Sequence, residues 1–587
     1  MAPAGGATTG AASRHEVGSG ATLPQDDAAT GVAPRVVVVG GGLTGLAAAR
    51  RLSLAGAEVT LVEASTRLGG QVRTLDLPSS ATPIDVGAEA MHTGAPETEA
   101  LLDELGLRSS MVLARTGESW LWTPVGRRRL PEGVGPAGPT RLRPVLASGV
   151  MTLPGMARAG LEPVFAWLRR PPSVGPGQDV AVGDFVAGRF GRQVVDRFVD
   201  PLLGGLHSGD VRRLSLRATT PSLVGAATSG RSLMPLRLRD LPRVVRARWP
   251  QRPGGRHEAP RRAGATSPGM RFLTWPGGLR TVLDALLADV AVDVRTGTLV
   301  TALLRGEDGV THATRATGAG RGPGESMPGA QAPRSPAYRL RLQTGTATEL
   351  LPADGVVLAV PAWASRRLLA TLAPRAADTL AATRVASTAT VVLGFAREDV
   401  AGVPALAGNG LLVSSRTGTL LKAITNLSAK WPQYADEELF WVRLSAGRDG
   451  VDLVTPLTDD ELVDHLRRDL RFFTGLDAAP RVVHVERWRR GLPQLTVGHV
   501  DRVEAARAEL VAALPGVALA GASYDGIGLA ACLGSARRAA ASVLEASAAQ
   551  RPRPEHVPAA GTPPTEHVRA GGPPSPSDAA HQPRSVR

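Results

Sequence analysis

Short apolar runs and amphipathic stretches alternate along most of the chain. Residues 35–39 (RVVVV) form a run of β-branched side chains, which predicts a strand buried on both faces. Residues 44–54 carry a helical pattern with small side chains on one face, and 57–63 (AEVTLVE) predicts a second strand, so this stretch holds one strand–helix–strand unit. Further strands are predicted at 292–294, 299–303, 338–342, 355–360 and 388–395, with Pro361 closing the fourth of these. From about 144 to 238 the pattern is mostly helical, and no internal repeat is present. Strands alternating with helices predict an α/β protein.

The pattern breaks down in four places. Residues 1–34, 250–268, 311–336 and 550–587 are rich in Ala, Gly, Pro and Ser and predict tails and surface insertions without a packed core. The first of them has no basic start followed by an apolar run, so no secretory signal is expected. No apolar run is long enough to cross a bilayer. Residues 145–170 are largely apolar and end in two arginines. They are expected to form an ordinary core helix, with peripheral membrane contact as the alternative.

Composition adds little to the fold and more to the chemistry. The net charge is +14, and nearly all of the positive charge is arginine: the only lysines are Lys422 and Lys430. An arginine-rich surface suits an anionic partner, through bidentate pairing with carboxylates. The arginines are dispersed and no zinc-finger spacing occurs, so nucleic acid is not expected. With Cys532 as the lone cysteine, an internal disulfide is impossible and no metal site is expected, which fits a reducing cytoplasm.

The strongest chemical signal is VVVVGGGLTGLAAARRL. Gly40, Gly42 and Gly45 make a G-x-G-x-x-G turn, with Gly41, Leu43 and Thr44 between them, directly after a strand and at the start of a helix. Such glycines give the tight turn, the close approach of a pyrophosphate and the close packing of helix on strand. The helix N-terminus offers unpaired N–H groups and partial positive charge to the phosphates. Glu63, at the end of the second strand, can accept hydrogen bonds from ribose hydroxyls and would repel a 2′-phosphate. Together these predict an adenine-dinucleotide site.

The residues that follow resemble FAD oxidoreductases of the glutathione-reductase-like superfamily. After Glu63 and Ala64 comes Arg67-Leu68-Gly69-Gly70-Gln71-Val72-Arg73, similar to the R-x-G-G element whose glycines approach the diphosphate and whose arginine supports it. Asp85-Val86-Gly87-Ala88-Glu89, followed by Ala90, resembles the D-x-G segment that meets the flavin ring. Residues 292–303 resemble the strand pair whose valine, here Val300, contacts the adenine end. Residues 519–540 (LAGASYDGIGLAACLGSARRAA) resemble the closing element, in which Ile527, Gly528 and Leu529 start a helix aimed at the flavin. The resemblance implies noncovalent FAD, and Cys532 is expected to be a small buried residue.

Beyond these elements the chain resembles the bacterial coproporphyrinogen III and protoporphyrinogen oxidases, a family within the flavin amine oxidase superfamily. The resemblance rests on Val182-Gly183-Asp184-Phe185, Arg189-Phe190-Gly191 and VVDRFVDPLLGGLHSGDVRRLSL at 194–216. TWPGGL at 274–279, TNLSAKWP at 425–432, RWRRGLPQLTVGH at 487–499 and AGASYDGIG at 520–528 extend it. It covers about 35–546 and adds Trp488 to the expected FAD contacts. It implies a discontinuous Rossmann-like FAD-binding domain made of 35–105, 269–365 and 506–546. The same resemblance implies a substrate and helical lobe at 106–249, a linker at 250–268 and an α+β substrate-binding domain at 366–505.

The activity implied is oxygen-dependent aromatisation of a porphyrinogen in haem biosynthesis, with release of hydrogen peroxide. Coproporphyrinogen III is the expected substrate, with protoporphyrinogen IX the alternative. The partners implied are the porphyrinogen and molecular oxygen, with peripheral membrane contact and a haem-pathway ferrochelatase beside them. No side chain is assigned as a catalytic base. The chain departs from the family at 90–97 (AMHTGAPE), where His92 is the sole cationic candidate to meet a propionate, and at Pro493-Gln494-Leu495 and 532–537. A flavin amine oxidase is a rival reading. That chemistry uses a lysine near the flavin where Thr390 falls here, and an aromatic cage that 525–529 (DGIGL) does not supply. A non-catalytic FAD-fold protein that binds porphyrin is another.

Overall fold

A computed structural model of the chain describes residues 33–306 and 335–549, apart from 132–133, 136–137, 140–141, 169–174, 176, 235–270 and 436. The four segments of low sequence complexity lie outside the described residues, save for their edges.

Five parallel strands form the central sheet: β1 (Arg35–Val39), β2 (Glu58–Val62), β3 (Val292–Arg295), β4 (Gly355–Leu358) and β5 (Val517–Leu519). Their order is β3-β2-β1-β4-β5, the doubly wound arrangement whose ligand crevice opens at the C-terminal end of β1. The unbroken valine run of β1 follows from this central place. Val36 and Val38 enter one core, packed under helices α1 (Leu43–Leu54) and α2 (Leu529–Ala549), while Val37 and Val39 enter a second core on the opposite face. Each fully buried valine or leucine contributes roughly 1.5–3 kcal/mol. An antiparallel meander, Thr298–Arg305, Tyr338–Thr344 and Ala347–Ala353, extends the fold beside β4.

A second, seven-stranded sheet faces the first domain. Its order is Val482–Pro493, Val385–Ala396, Leu439–Ala446, Leu421–Asn426, Gly410–Val413, Ser119–Thr123 and Gly126–Arg129. All neighbours are antiparallel except Gly410–Val413 and Ser119–Thr123. The last two strands come from the segment that the sequence groups with the helical lobe. One face of the sheet is covered by helix Asp459–Thr474, which buries Leu462, Leu466, Leu470 and Phe473 against Val391, Leu393 and Phe395. Thr458 and Glu461 cap the start of that helix reciprocally, and Gly475 (φ 80°) ends it. By strand alternation Thr388, Thr390, Arg443 and Ser445 lie on the other face. Arg443 on that face donates to the carbonyls of Gly87 (3.2 Å) and Asp85 (3.4 Å) in the dinucleotide domain.

The helical lobe packs around Phe185, Phe190, Val194, Phe198 and Leu203. Its centre is a ten-residue π-helical run, Val195–Gly204, that holds Pro201 inside it. Proline has no N–H to give and its ring crowds the preceding turn, which the wider turn accommodates. The run also places Asp200, buried, against the second sheet. Asp200 accepts from Ser414 Oγ (2.7 Å), Ser415 N (2.7 Å) and Ser415 Oγ (2.8 Å). The DPLLGG block is thus a clamp between lobe and sheet.

The segment expected to be an ordinary core helix is three short helices instead: Leu142–Ala147, Leu153–Gly160 and Glu162–Leu168. Ala159, Glu162 and Ala166 face inward, while Leu153, Leu161, Val164, Trp167 and Leu168 are exposed. The apolar content of the segment thus serves two faces, only one of which is core. Among the described residues no helix is long and apolar enough to cross a membrane.

Candidate functional site

Backbone rather than side chains builds the centre of the site. At the end of β1, Gly40 takes φ 108°, open to glycine alone at low cost. A Cβ on Gly45 would fall 1.8 Å from the Gly40 carbonyl oxygen, so α1 lies directly against the turn. The second glycine turn packs onto the first: Gly69 N donates to the Gly41 carbonyl (2.8 Å), and a Cβ on Gly70 would lie 3.2 Å from the Gly42 Cα. Glu63, at the end of β2, accepts from Gly41 N (2.7 Å), Ser65 N (2.8 Å) and Ser65 Oγ (2.7 Å). Its carboxylate therefore buttresses the turn. Ala64 beside it is exposed.

Arg67 folds over the second turn, donating to the carbonyls of Gly70 (2.8 Å) and Leu68 (3.2 Å). Burial and the neighbouring Arg73 lower its pKa. Gln71 donates to the Gly491 carbonyl and accepts at its own carbonyl from Ala88 N (2.9 Å), which ties 85–90 to the edge of the second sheet. Trp488 lies across Gly87: a Cβ there would meet Trp488 Cζ2 at 3.0 Å and the Gln71 carbonyl at 2.1 Å. Ile527 and Gly528 precede α2, and Leu529 begins it. Gly521 (φ 117°) leads into this segment beside Thr44, with the hydroxyl 3.6 Å from where a Gly521 Cβ would stand. Leu43 is buried in the core under α1 and Ala90 is half-buried. Val300 is buried among Val39, Val62 and Leu358, so its side chain belongs to the core.

This cradle fits an adenine dinucleotide. No side chain caps α1 at Gly42, which leaves its first N–H groups for an anion. The space over Gly42 is open, the nearest protein atom to an added Cβ being 3.9 Å away, and a Cβ on Gly528 would meet nothing within 4 Å. FAD held there would meet Gly40–Gly45, Gly69–Gly70 and the start of α2.

Glu89 has a different setting from the one its motif suggests. It is buried among cations and donors, pairing with Lys430 Nζ (2.6 Å), Trp431 Nε1 (2.7 Å) and Arg443. Burial works to raise its pKa, but Arg443 and Lys430 outweigh it and hold the carboxyl down at about 2. Asp85 is also buried. It accepts from Thr74 Oγ1 (2.5 Å) and Leu279 N (3.1 Å), and burial pushes it up to about 7. The TWPGGL element thus closes over Asp85. His92 sits at the surface with its ring against Phe272, and the partial shielding of that ring from water, with nearby Lys430, lowers its pKa. Cys532 is buried in α2, its thiol pushed up to about 11 by burial.

Sequence reasoning missed the partners of Glu89, the pairing of Arg73 with Glu486 (2.6 Å), and a group of cations on the second sheet. One signal could have found the last: the only two lysines of the chain, Lys422 and Lys430, stand on that sheet and just after it. Thr390, which the resemblance sets against the amine-oxidase lysine, is in register between Glu486 and Ser445. Among the described residues no group of three or more His, Cys, Asp or Glu could hold a metal ion.

Comparison with known proteins agrees with this geometry. The family model for flavin containing amine oxidoreductase matches residues 43–544. A coproporphyrinogen III oxidase of Mycobacterium tuberculosis (strain ATCC 25618 / H37Rv) is 35% identical over 525 residues, 87% of this chain and 98% of that protein. A coproporphyrinogen III oxidase of Bacillus subtilis (strain 168) is 28% identical, over 87% of this chain and 97% of its own. A crystal structure named for a protoporphyrinogen oxidase from Exiguobacterium sp. 255-15 superposes with a TM-score of 0.67 at 28% identity, over 88% of this chain and 99% of that one. Cyclohexylamine oxidase from Brevibacterium oxydans IH-35A shares the fold, with a TM-score of 0.55 at 17% identity. The chain belongs to the flavin containing amine oxidoreductase family and is an FAD-dependent oxidoreductase, similar along its length to the coproporphyrinogen III oxidases.

Proposed function

We propose that this protein oxidises coproporphyrinogen III to coproporphyrin III, with oxygen as the acceptor and hydrogen peroxide as the second product. The observation that carries the reading is the extent of the match. It spans 98% of the mycobacterial coproporphyrinogen III oxidase and so includes the helical lobe and second sheet as well as the dinucleotide fold. FAD, when bound, would supply a two-electron acceptor for a hydride from a bridging carbon of the macrocycle, with oxygen as the final oxidant. The chain's own part is to hold the macrocycle against that acceptor and to keep water out. Thr388, Thr390, Arg443 and Ser445 furnish the face of the second sheet suited to this. An amine substrate suits the site less well: Thr390 is not a lysine, and 525–529 carries no aromatic residue.

Purified protein is expected to be yellow and to turn coproporphyrinogen III fluorescent in air, with peroxide formed in step and a slower rate on protoporphyrinogen IX. The flavin should come free on denaturation, since the buried, high-pKa Cys532 is a poor point of covalent attachment. Preference for protoporphyrinogen would transfer the reading to that substrate. A yellow protein that binds porphyrin without any gain in fluorescence from porphyrinogen would mark a carrier.

The reading includes action in the cytoplasm, with delivery of product to a ferrochelatase and peripheral contact with a membrane. For the last, the supporting surface is the exposed set Leu153, Leu161, Val164, Trp167 and Leu168. The full chain is expected to float with anionic liposomes, and Trp167→Ser together with Leu168→Ser to abolish flotation while leaving flavin content intact. Flotation unchanged by the pair would remove this surface from the account.

A further inference from the structure

Among the described residues, the buried Lys422 and the half-buried Arg448 have no acidic partner. Lys422 lies in strand Leu421–Asn426, where the register against Leu439–Ala446 skips from Leu421 to Ala423, so that Lys422 is the extra residue of a β-bulge. Bulges commonly re-aim a side chain near an active site. Its neighbours Leu421 and Ile424 enter the core under helix Asp459–Thr474, whereas Lys422 turns to the helical lobe and donates to Ser208 Oγ. It is 7% exposed. Arg448 follows the next strand. One of its terminal nitrogens donates to the Val413 carbonyl (2.9 Å), while Nε and the other terminal nitrogen are buried without a partner. Among the described residues no carboxylate pairs with either side chain. Asp200, the acid nearest to Arg448 in electrostatic effect, has its oxygens occupied by Ser414 and Ser415.

The lobe side of this junction is unusual as well. Ser208 takes φ 50°, a left-handed conformation that is costly for a residue with a Cβ and that concentrates at functional sites. Its carbonyl is fixed by Asp449 N (2.6 Å). The adjoining His207 is buried, its Nδ1 has no partner, and burial lowers its pKa to about 4, so the ring is neutral at physiological pH. A buried ammonium with no counter-charge is unfavourable, and the neighbouring guanidinium adds to that cost. Burial, Arg448 and Arg443 together push Lys422 down to about 7. An arriving anion would supply the missing counter-charge and offset the repulsion between the two cations. The phosphates of the cofactor are already provided for by the glycine turns, which leaves the substrate.

We infer that Lys422, Ser208 and Arg448 form a subsite for a carboxylate of the substrate, in which Lys422 and Arg448 supply the charge and Ser208 orients the ammonium. This rests on the porphyrinogen reading and gives it a named anchor for one propionate, at the junction of lobe and sheet.

The test uses the full-length, flavin-loaded protein, with coproporphyrin III and its tetramethyl ester as probes of equilibrium binding and coproporphyrinogen III for steady-state kinetics. Lys422→Met is expected to weaken coproporphyrin III binding and raise KM by roughly tenfold to a hundredfold, the range for a hydrogen bond to a charged group. The rise in KM should exceed any fall in kcat, ester binding should move little, and Lys422→Arg should recover most of the loss. Arg448→Met, read in the same way, provides a second variant should the first fail to fold. Wild-type binding by both methionine variants, or equal weakening toward acid and ester, would overturn the subsite alone. A wild-type holoenzyme that neither binds coproporphyrin III nor oxidises its porphyrinogen would overturn the subsite and the function together.

Discussion

Gly45→Val is expected to purify without flavin and to unfold far more readily than the parent. The new side chain would begin 1.8 Å from the Gly40 carbonyl oxygen, a backbone atom that cannot step aside without moving α1 off β1. Overpacking of this kind, against main chain rather than a flexible side chain, falls in the severe class, about 4 kcal/mol or more. Gly42→Ala separates the two consequences. Its added methyl meets no protein atom closer than 3.9 Å, so the polypeptide alone tolerates it, while the approach of a pyrophosphate does not. That variant should show near-parental resistance to urea without cofactor and bind FAD at least roughly tenfold more weakly. A fully yellow Gly45→Val protein, or a Gly42→Ala protein with parental FAD affinity, would contradict the site.

Glu89→Gln should be the most damaging single change outside the glycine turns. Removing the charge leaves Lys430 and Arg443 in a confined space with no acid between them, and breaking a buried ion pair in this way costs about 3–5 kcal/mol. The effect carries a pH signature. In the folded chain this carboxyl titrates at about 2, below its ordinary 4.5. The folded state thus holds the proton more weakly than the unfolded one. The stabilisation, about 3 kcal/mol, is complete at neutral pH and is lost as pH falls from the ordinary value through the folded one. Denaturant titrations at neutral pH and at steps from pH 4.5 down toward about 2 should show the parent losing stability over that window and Glu89→Gln losing much less. Parallel curves for the two proteins would place the acid sensitivity elsewhere.

What the sequence made legible divides by distance along the chain. The β1–α1–β2 unit and its glycines could be read because the turn, the buried strand and the helix start all lie within one short window, where local conformation decides. Arg67, Gly69 and Gly70 were readable for the same reason. The strand pair Ser119–Thr123 and Gly126–Arg129 was not, because its place depends on parallel pairing with Gly410–Val413, a strand far along the chain beyond the helical lobe and the meander. Glu89 shows the same limit at the site. Its motif pointed to the cofactor, but Lys430 and Arg443 reach it from a short helix and a strand remote in the chain and make it the centre of an ion cluster. The apolar run at 145–170 misled through composition: periodicity alone could not tell a face turned to the core from one turned outward, and Trp167 and Leu168 are turned outward.

The dinucleotide fold is completed late. β1 and α1 are among the first parts of the ordered chain to be synthesised, yet β5 (Val517–Leu519) and α2 (Leu529–Ala549) come at its end and share α1's core. Until the ribosome has released these last segments, α1 keeps Leu46, Ala47 and Ala49 without the α2 residues that finally cover them, Leu533 and Ala536 among them. The nascent chain must therefore carry this uncovered helix through almost all of translation, a span in which it is open to aggregation and suited to chaperone binding. The flavin cradle is likewise complete only once Gly528 and the start of α2 have reached Gly42 and α1, which makes this last ordered segment the step that closes the cofactor site.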